Sequence, residues 1–395
     1  MAPELLPPDR QPVIIAARRT PVCRTNGALG KLRAHELLAP VLRELVANAG
    51  AEPEAVSDVV VGNAVGGGGN VARLALLEAG LPVAVPGITV DRQCGSGLDA
   101  IVLAARLVAA GGNPLYLAGG VESTSTAPLR AYRNDDGGPE FYRRAQFVPA
   151  SFGDPDMGVA AETVAQEFSV GRERQDTFAL RSHLRALAAA KAGHFDGELV
   201  PLKTGTATVA ADDGPRRGLT SAVMARFPPV FVDGGTVTAG NSCFDADAAS
   251  AVVITSVRRA QELGARDGLL VLGTGTAGVH PAVLGVGAAT AARDVLTLAG
   301  MAADELELVE FNEAFASQTL ACLDQLGIEE ERANLDGGAL ALGHAYGASG
   351  AVLVTRLLAQ ARRTGTEGSL GLAMISSAGG MGTAALLQYL HLQDG

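Results

Sequence analysis

The stretch RQCGSGLDAIVLAARLVAAG (92–111) has a counterpart in GHAYGASGAVLVTRLLAQAR (343–362), and this pair decides the fold. Each stretch places a reactive side chain, Cys94 or His344, before a glycine turn that opens an apolar helix. The match between single residues is weak, but the shared pattern predicts two related halves whose glycine turns meet. A thiol beside an imidazole would then form an activated nucleophile.

Short apolar runs alternate with helical patterns on either side of these stretches. We expect strands followed by helices or turns, an arrangement typical of α/β layers around a mainly parallel sheet. The predicted strands lie within 11–21, 56–65, 88–97, 113–123, 304–316 and 368–390, and further helices lie within 34–50 and 304–316.

The region 124–240 interrupts this alternation with polar, proline-containing and glycine-containing stretches. One helix is predicted over 169–193, with Ser169 as its cap. A span of this length is rarely structureless, so we interpret the region as a lid or ligand-binding subdomain; a solvated connection is the alternative. The predicted division is an N-terminal half (1–123), the insertion (124–240) and a C-terminal half (241–395).

Composition limits the classes of function. The chain has 395 residues, 48% of them hydrophobic, and a net charge of −11, which argues against a nucleic-acid partner. No signal-peptide pattern and no uninterrupted apolar stretch of membrane-spanning length is present. Its four cysteines are far apart, which argues against a zinc site or a disulfide framework. We expect a cytoplasmic protein with reduced thiols and with no metal, nucleic-acid or membrane partner.

Cys94 lies where a strand runs into a glycine turn and then a helix. The thiolate is the reactive form of cysteine, and the positive end of a helix lowers a thiol pKa. The glycines would also leave N–H groups free to bind an oxyanion. These features predict a nucleophilic role for Cys94, although a lone cysteine is often only a small buried hydrophobic residue.

A nucleophilic cysteine needs a base, and His344 is the candidate because of its glycine turn. His35, His183 and His194 lie in or beside helical patterns, and we expect them on the surface. His280 lies in a loop and His391 near the end of the chain. A purely structural role for His344 is the alternative.

Several blocks of the chain together resemble the thiolase family, in the expected order and spacing. The blocks are DRQCGSGLDAI (91–101), GGVESTSTAP (119–128), GTVTAGNSCFDADAASAVV (235–253), NEAFA (312–316), GGALALGHAYGASGA (337–351) and SSAGGMGTAALLQ (376–388). The resemblance implies a five-layered αβαβα core of two similar halves with an inserted loop domain. It also implies coenzyme A (CoA) thioesters as substrates, no bound cofactor, and a homodimer or homotetramer.

The resemblance assigns roles to individual residues. Cys94 would take the acyl group, and His344 would activate it and bind the thioester oxygen. Asn312 would hold a water that completes this oxyanion hole, and Glu313 would support the same loop. The backbone N–H groups of Cys94 and Ala378 would also bind an oxyanion. The positions that match CoA or substrate contacts are Met157, Arg216, Phe231, Cys243 and Phe315.

The main departure from the family lies at Ser376, where a thiolase carries its second catalytic cysteine. That cysteine moves the α-proton of the second thioester, and a serine hydroxyl is too weak an acid and too basic as an alkoxide to replace it. Ala345 and Tyr346 follow His344, Asp156 precedes Met157, and Phe244 stands where a small residue is expected. These changes indicate an altered pocket. Whether Ser376 or Ser377 faces it stays open.

Three functions fit these residues. The first is acyl transfer from Cys94 to a carbon or heteroatom nucleophile, in a biosynthetic pathway. The second is ordinary thiolase activity on acetyl-CoA or a 3-ketoacyl-CoA, against which Ser376 counts. The third is acyl-CoA binding without turnover, which would not require Cys94, Asn312 and His344 together.

Overall fold

Three layers of helices alternate with two halves of one sheet in the computed structural model, which describes residues 5–205, 207–364 and 366–392. The predicted five-layered αβαβα class is confirmed. The strands are β1 (Pro12–Arg19), β2 (Cys23–Arg24), β3 (Asp58–Gly62), β4 (Gly87–Val90), β5 (Leu115–Ser123), β6 (Ala131–Arg133), β7 (Pro139–Phe141), β8 (Leu202–Thr204), β9 (Ala207–Val209), β10 (Ala246–Ser256), β11 (Asp267–Gly278), β12 (Leu308–Phe311), β13 (Leu370–Ser377) and β14 (Met381–His391). The α-helices are α1 (Ala34–Asn48), α2 (Val71–Glu78), α3 (Ser96–Ala110), α4 (Met157–Glu167), α5 (Arg172–Lys191), α6 (Ser221–Met224), α7 (Val257–Glu262), α8 (Gly287–Ala299), α9 (Ala316–Leu326), α10 (Ala339–Leu342) and α11 (Tyr346–Thr364).

The large sheet is mixed, so the expectation of a mainly parallel sheet is wrong. Its strand order is β12-β13-β14-β11-β1-β10-β5-β3-β4, and β2 adds to β10. The pairs β12–β13, β3–β4 and β3–β5 are parallel, whereas β1 runs antiparallel to both β10 and β11, and β14 antiparallel to both β11 and β13. The short turn at 378–380 explains one antiparallel pair, because only parallel neighbours need a long crossover.

Three hydrophobic clusters correspond to the three helix layers. Helices α1 and α2 cover the outer face of the N-terminal part of the sheet, and α8 and α9 cover the outer face of the C-terminal part. Helices α3 and α11 pack between the two parts. Leu37, Leu38, Leu42 and Leu45 of α1 are fully buried, and each burial contributes about 1.5–3 kcal/mol.

The glycine turns that precede the two central helices meet, as predicted. A Cβ atom on Gly97 would lie 2.5 Å from the carbonyl oxygen of Gly347, and one on Gly350 would lie 2.5 Å from the amide nitrogen of Leu98. Only glycine allows backbones to approach this closely. The buried carboxylate of Glu122 accepts a hydrogen bond from the Gly347 amide (3.1 Å), which fixes the start of α11. This contact brings the Cys94 and His344 turns together.

The insertion contains α4, α5, α6 and the hairpins β6–β7 and β8–β9. The helix predicted over 169–193 is α5, but Ser169 does not cap it: its φ is +55°, and Gly171 occupies the cap position. The predicted boundaries between domains stay predictions. The boundary at 240 places β10 in the C-terminal half, whereas β10 pairs with β1 and β5.

Two segments have the length and hydropathy of a membrane span, Gln93–Ala110 and Pro281–Ala299. In the most apolar stretch of each segment, 61% and 56% of the residues, respectively, are buried inside the protein. Helices α3 and α8 lie in these segments and pack against the sheet. The length and apolar composition of these two segments are therefore those of core helices of this fold.

Candidate active site

Cys94 lies in a tight turn between β4 and α3. Gln93, the residue before it, has a φ of +51°, and the Asp91 carboxylate stabilises this turn by accepting a hydrogen bond from the Gln93 amide (2.6 Å). The Ser96 hydroxyl accepts from the Arg92 amide (2.8 Å) and donates to the Gln93 carbonyl (2.6 Å). A positive φ at a residue other than glycine is a strained conformation that persists mainly at functional sites.

Burial raises the pKa of the Cys94 thiol to about 12, so the expectation of a lowered pKa is wrong. The N–H groups of Ala378 and of Cys94 itself point at the sulfur and lower the pKa, but the loss of solvation outweighs them. Both N–H groups predicted for an oxyanion site are therefore at the sulfur. Because the thiol is protonated at neutral pH, Cys94 needs a base to react.

His344, the candidate base for Cys94, has one ring nitrogen that is free of hydrogen bonds within the described residues. Its amide donates to the Phe244 carbonyl (2.9 Å), and its Nδ1 lies 2.7 Å from the Ser349 hydroxyl, which fixes the ring. Its Nε2 is buried and has no hydrogen-bond partner in the described part of the chain. Burial lowers the pKa of His344 to about 4, so the ring is neutral at pH 7. The Ser349 hydroxyl can donate or accept, so it suits either tautomer of the ring.

The NEAFA block supplies Asn312 and Glu313 immediately after β12. The amide of Asn312 donates to the Met374 carbonyl (3.2 Å), and its own carbonyl accepts from the Ala314 amide (3.0 Å). Glu313 is buried and accepts hydrogen bonds from the Ser182 hydroxyl (2.7 Å), the Asn334 side chain (2.7 Å) and the Leu340 amide (3.1 Å). Glu313 thus connects the loop after β12 to the segment that leads to His344. Its role in supporting the NEAFA loop stays a prediction.

Ser376 and Ser377 point to opposite faces of β13. The Ser376 hydroxyl donates to the Gly285 carbonyl (2.6 Å) and accepts from the Ala288 amide (3.0 Å). The Gln318 side-chain nitrogen lies 3.4 Å from the same hydroxyl. The hydrogen-bonding capacity of the Ser376 hydroxyl is therefore filled. The Ser377 hydroxyl is buried without a partner among the described residues, 2.7 Å from where a Cβ on Gly95 would lie. Ser377 therefore faces the Cys94 turn.

The segment 242–245 crosses between the NEAFA block and the His344 turn. The Cys243 amide donates to the Ala314 carbonyl (3.0 Å), and Asp245 lies opposite His344 in a short bridge. Burial is the main cause of the raised pKa of the Cys94 and Cys243 thiols, and the negative charge of Asp245 adds to it in both. Cys243 and Asp245 are thus close to the nucleophile.

Phe244 packs against an arginine and two glycines. Its ring lies under the Arg24 guanidinium, 3.8 Å from it, and against Gly214 and Gly343, where Cβ atoms would come within 2.6 Å of the ring. Two glycines therefore accommodate the bulk of this residue.

Three of the predicted CoA contacts converge on one apolar surface. The rings of Phe231 and Phe315 lie 6.0 Å apart, edge to face. Phe231 also packs on the start of α4, where Gly158 follows Met157 and a Cβ would lie 2.1 Å from the ring. Phe231 and Phe315 therefore pack together, and Met157 begins the helix on which Phe231 packs.

Arg216 lies beside Arg24, a residue that the sequence did not identify. The Arg216 amide donates to Nδ1 of His183 (3.2 Å), and neither guanidinium forms an ion pair within the described residues. His183 is only 2% exposed, so its expected surface position is wrong. Burial, with the charges of Arg216 and Arg24, lowers the pKa of His183 to about 4. His194 is partly buried against Asp336 (2.7 Å).

Comparisons with known proteins agree with this geometry. Residues 12–258 match the family model described as "Thiolase, N-terminal domain", and residues 269–389 match "Thiolase, C-terminal domain". A Staphylococcus epidermidis protein named "Putative acetyl-CoA C-acetyltransferase VraB" is 40% identical over 383 residues, covering 96% of this chain and 98% of that protein. Its namesake in Staphylococcus aureus strain MRSA252 is 42% identical, covering 95% and 98%. The crystal structure of the Bacillus anthracis acetyl-CoA acetyltransferase superposes with a TM-score of 0.88 at 34% identity, covering 96% of this chain and 99% of that one.

Proposed function

Since this chain belongs to the thiolase family and is an acyltransferase, we propose that it forms an acyl-enzyme on Cys94 from an acyl-CoA. The acyl group then passes to a carbon or heteroatom nucleophile, in a biosynthetic pathway. The observation that carries the proposal is the free, buried Nε2 of His344, at the meeting point of the two glycine turns. A cytoplasmic location, a homodimer or homotetramer, and the absence of a bound cofactor stay predictions.

The acylation step uses the groups around Cys94. Neutral His344 takes the thiol proton, and the new thiolate attacks the thioester carbonyl. In this proposal the N–H groups of Cys94 and Ala378, which point at the sulfur, also stabilise the oxyanion. The intermediate collapses by breaking the bond to the CoA sulfur, which leaves with the proton from His344. The imidazole is neutral again and ready for the second substrate.

We propose that the insertion binds the CoA portion of the substrate. The apolar surface of Met157, Phe231 and Phe315 suits the pantetheine chain. Arg24 and Arg216 supply two positive charges without carboxylate partners in the described chain, which suits a phosphate group.

Arg216→Ala is expected to raise KM for acetyl-CoA by about tenfold or more, with little change in kcat. A hydrogen bond to a charged group contributes about 1.5–3 kcal/mol, and binding that is equal in the ground and transition states changes KM alone. Steady-state kinetics with acetyl-CoA and with its truncated analogue, the N-acetylcysteamine thioester, measure the effect. The truncated substrate lacks phosphates, so its KM stays unchanged.

Arg217→Ala is the matched control, because this neighbouring side chain is exposed. It is expected to leave both KM values unchanged. An equal rise of KM for both substrates in Arg216→Ala would show a general distortion of the site and contradict a phosphate contact.

Intact-mass measurement tests the proposed function. The protein is mixed with acetyl-CoA and with longer acyl-CoAs, and we expect one acyl adduct that Cys94→Ala abolishes. An adduct on another residue, or none, rejects the acyl-enzyme and favours a protein that binds acyl-CoA without turnover.

Ordinary acetyl-CoA acetyltransferase activity is the second candidate, favoured by the names of the relatives. The two functions differ in the second half-reaction. Rapid cleavage of acetoacetyl-CoA by free CoA would establish ordinary thiolase chemistry. Its absence, in a protein that still acylates Cys94, would favour transfer to another acceptor. The filled hydrogen bonds of Ser376 support looking for a different group to move the second proton.

A further inference from the structure

A tyrosine–carboxylate pair borders the candidate active site. The Tyr346 hydroxyl donates a hydrogen bond to Asp245 (2.6 Å). The backbone holds Asp245 across from His344, because the residues on either side of it, Phe244 and Ala246, bond to the His344 amide (2.9 Å) and carbonyl (3.1 Å). Asp245 is exposed to solvent.

The same pair lies beside the His344 ring. The Tyr346 ring meets the His344 ring edge to face, with centroids 5.2 Å apart. Burial raises the pKa of Tyr346, as do the charges of Asp245 and Cys94, so the phenol keeps its proton and donates to the carboxylate. Tyr346 also has a φ of +29°, a strained value for a bulky residue. The surrounding structure therefore holds this side chain in place at a cost.

Carbon–carbon bond formation needs a base for the α-proton of the second thioester. The Ser376 hydroxyl is committed to Gly285 and Ala288. Burial raises the pKa of the Cys243 thiol, so it stays protonated. His344 already serves Cys94. Two carboxylates act on the Cys94 thiol, those of Glu122 and Asp245. Glu122 is buried and already accepts hydrogen bonds from the Asn63 side chain and from the Ala64 and Gly347 amides, so Asp245 is the candidate base.

We propose that Asp245 is the base that removes this α-proton, and that Tyr346 is a positioning residue that orients its carboxylate. The inference rests on the proposed function, because it concerns the half-reaction after acylation. The carboxylate takes the proton as the C–H bond breaks, and the electron pair forms an enolate. The enolate carbon bonds to the acyl carbon on Cys94, the C–S bond breaks, and the Cys94 thiolate leaves. Solvent then carries the proton from Asp245 to this thiolate.

Deuterium exchange separates α-proton removal from acylation. Acetyl-CoA is incubated with the protein in heavy water, and mass spectrometry follows both deuterium in the recovered acetyl group and the adduct on Cys94. In Asp245→Asn we expect exchange to fall by about 10²-fold or more, with the adduct forming at least as fast as in the unchanged protein, because the negative charge of Asp245 raises the Cys94 pKa. In Tyr346→Phe we expect a fall of about tenfold, again with normal acylation.

The chain offers a matched control pair, since the Tyr389 hydroxyl donates to Asp267 (3.1 Å) at the far end of β11. Asp267→Asn and Tyr389→Phe are expected to leave exchange and acylation unchanged. Normal acylation by Asp245→Asn also shows that this variant is folded. Exchange that is undiminished in Asp245→Asn, or absent from the unchanged protein, overturns the proposal. An unchanged protein that exchanges α-protons but forms no Cys94 adduct contradicts the acyl-enzyme alone.

Discussion

His344→Ala is expected to slow the acylation of Cys94 by acetyl-CoA by about 10²–10⁴-fold at pH 7, the usual contribution of a general base. The expected fall in rate is large because the Cys94 thiol is protonated at neutral pH. Burial raises the Cys94 pKa to about 12, so almost none of it is thiolate at neutral pH. Burial also lowers the pKa of His344 to about 4, so its ring is neutral and able to take the proton.

The acylation rate should also depend on pH differently in the two proteins. From about pH 6 to 9 the unchanged protein holds a neutral imidazole and a protonated thiol, because this range lies above the lowered pKa and below the raised one. Its acylation rate should be nearly flat. His344→Ala must rely on thiolate formed by solvent, so its rate should rise about tenfold per pH unit. Rapid quenching and intact mass measure both slopes.

His391→Ala is a suitable control, because this residue is exposed at the end of β14. It should keep the flat profile and the rate of the unchanged protein. Parallel pH profiles for His344→Ala and the unchanged protein would show that His344 does not deprotonate Cys94.

Local patterns predicted the parts of the fold that depend on short stretches of sequence. The turns at Cys94 and His344, the helices after them and the meeting of the two turns follow from the shared pattern of the two stretches. Strand direction in the sheet does not follow, because β1 pairs with β10 and β11, more than two hundred residues later in the chain. Pairing at that distance depends on how the layers pack, which no local pattern encodes.

The same distinction applies to the site. Cys94 and His344 have recognisable turns, whereas Arg24 and His183 lie in stretches without a chemical pattern and reach the site through packing. Asp245 lies inside the block 235–253, but nothing in that block marks it for a chemical role. Alternation along a strand places Ser376 and Ser377 on opposite faces, but the position of α8 decides which hydroxyl is satisfied. The Cys94 pKa was mispredicted because the helix terminus is visible in the sequence and the burial of the thiol is not.

Glu198→Gln is expected to lower the free energy of unfolding by about 3–5 kcal/mol, the usual cost of breaking a buried ion pair. Glu198 lies in the turn after α5 and accepts hydrogen bonds from two buried arginines, Arg19 of β1 and Arg356 of α11. Arg19 also makes a bidentate pair with Asp212 (2.7 and 2.9 Å). The Phe195 ring lies 5.3 Å from one guanidinium and 4.5 Å from the other.

The expected loss is large because the arginines cannot release their charge. Burial acts to lower the pKa of Arg19, but Asp212 and Glu198 together raise it. Glutamine has the shape of glutamate and one negative charge less, so each buried arginine would lose one of its two carboxylate partners. Arg19 would keep only Asp212, and Arg356 would keep only Asp336. Urea unfolding followed by circular dichroism measures the change, since the chain has no tryptophan to report by fluorescence.

Glu331→Gln provides the comparison, because Glu331 pairs with Arg181 at 2.7 Å but is 61% exposed. Exposed pairs contribute about 0–1 kcal/mol, so this variant should unfold at nearly the urea concentration of the unchanged protein. Equal losses in the two variants would contradict a special role for the buried network. A selective loss in Glu198→Gln would show that this network joins β1, the insertion and α11. Helix α11 carries Ser349 and begins two residues after His344, so the network also stabilises the helix that holds the proposed base.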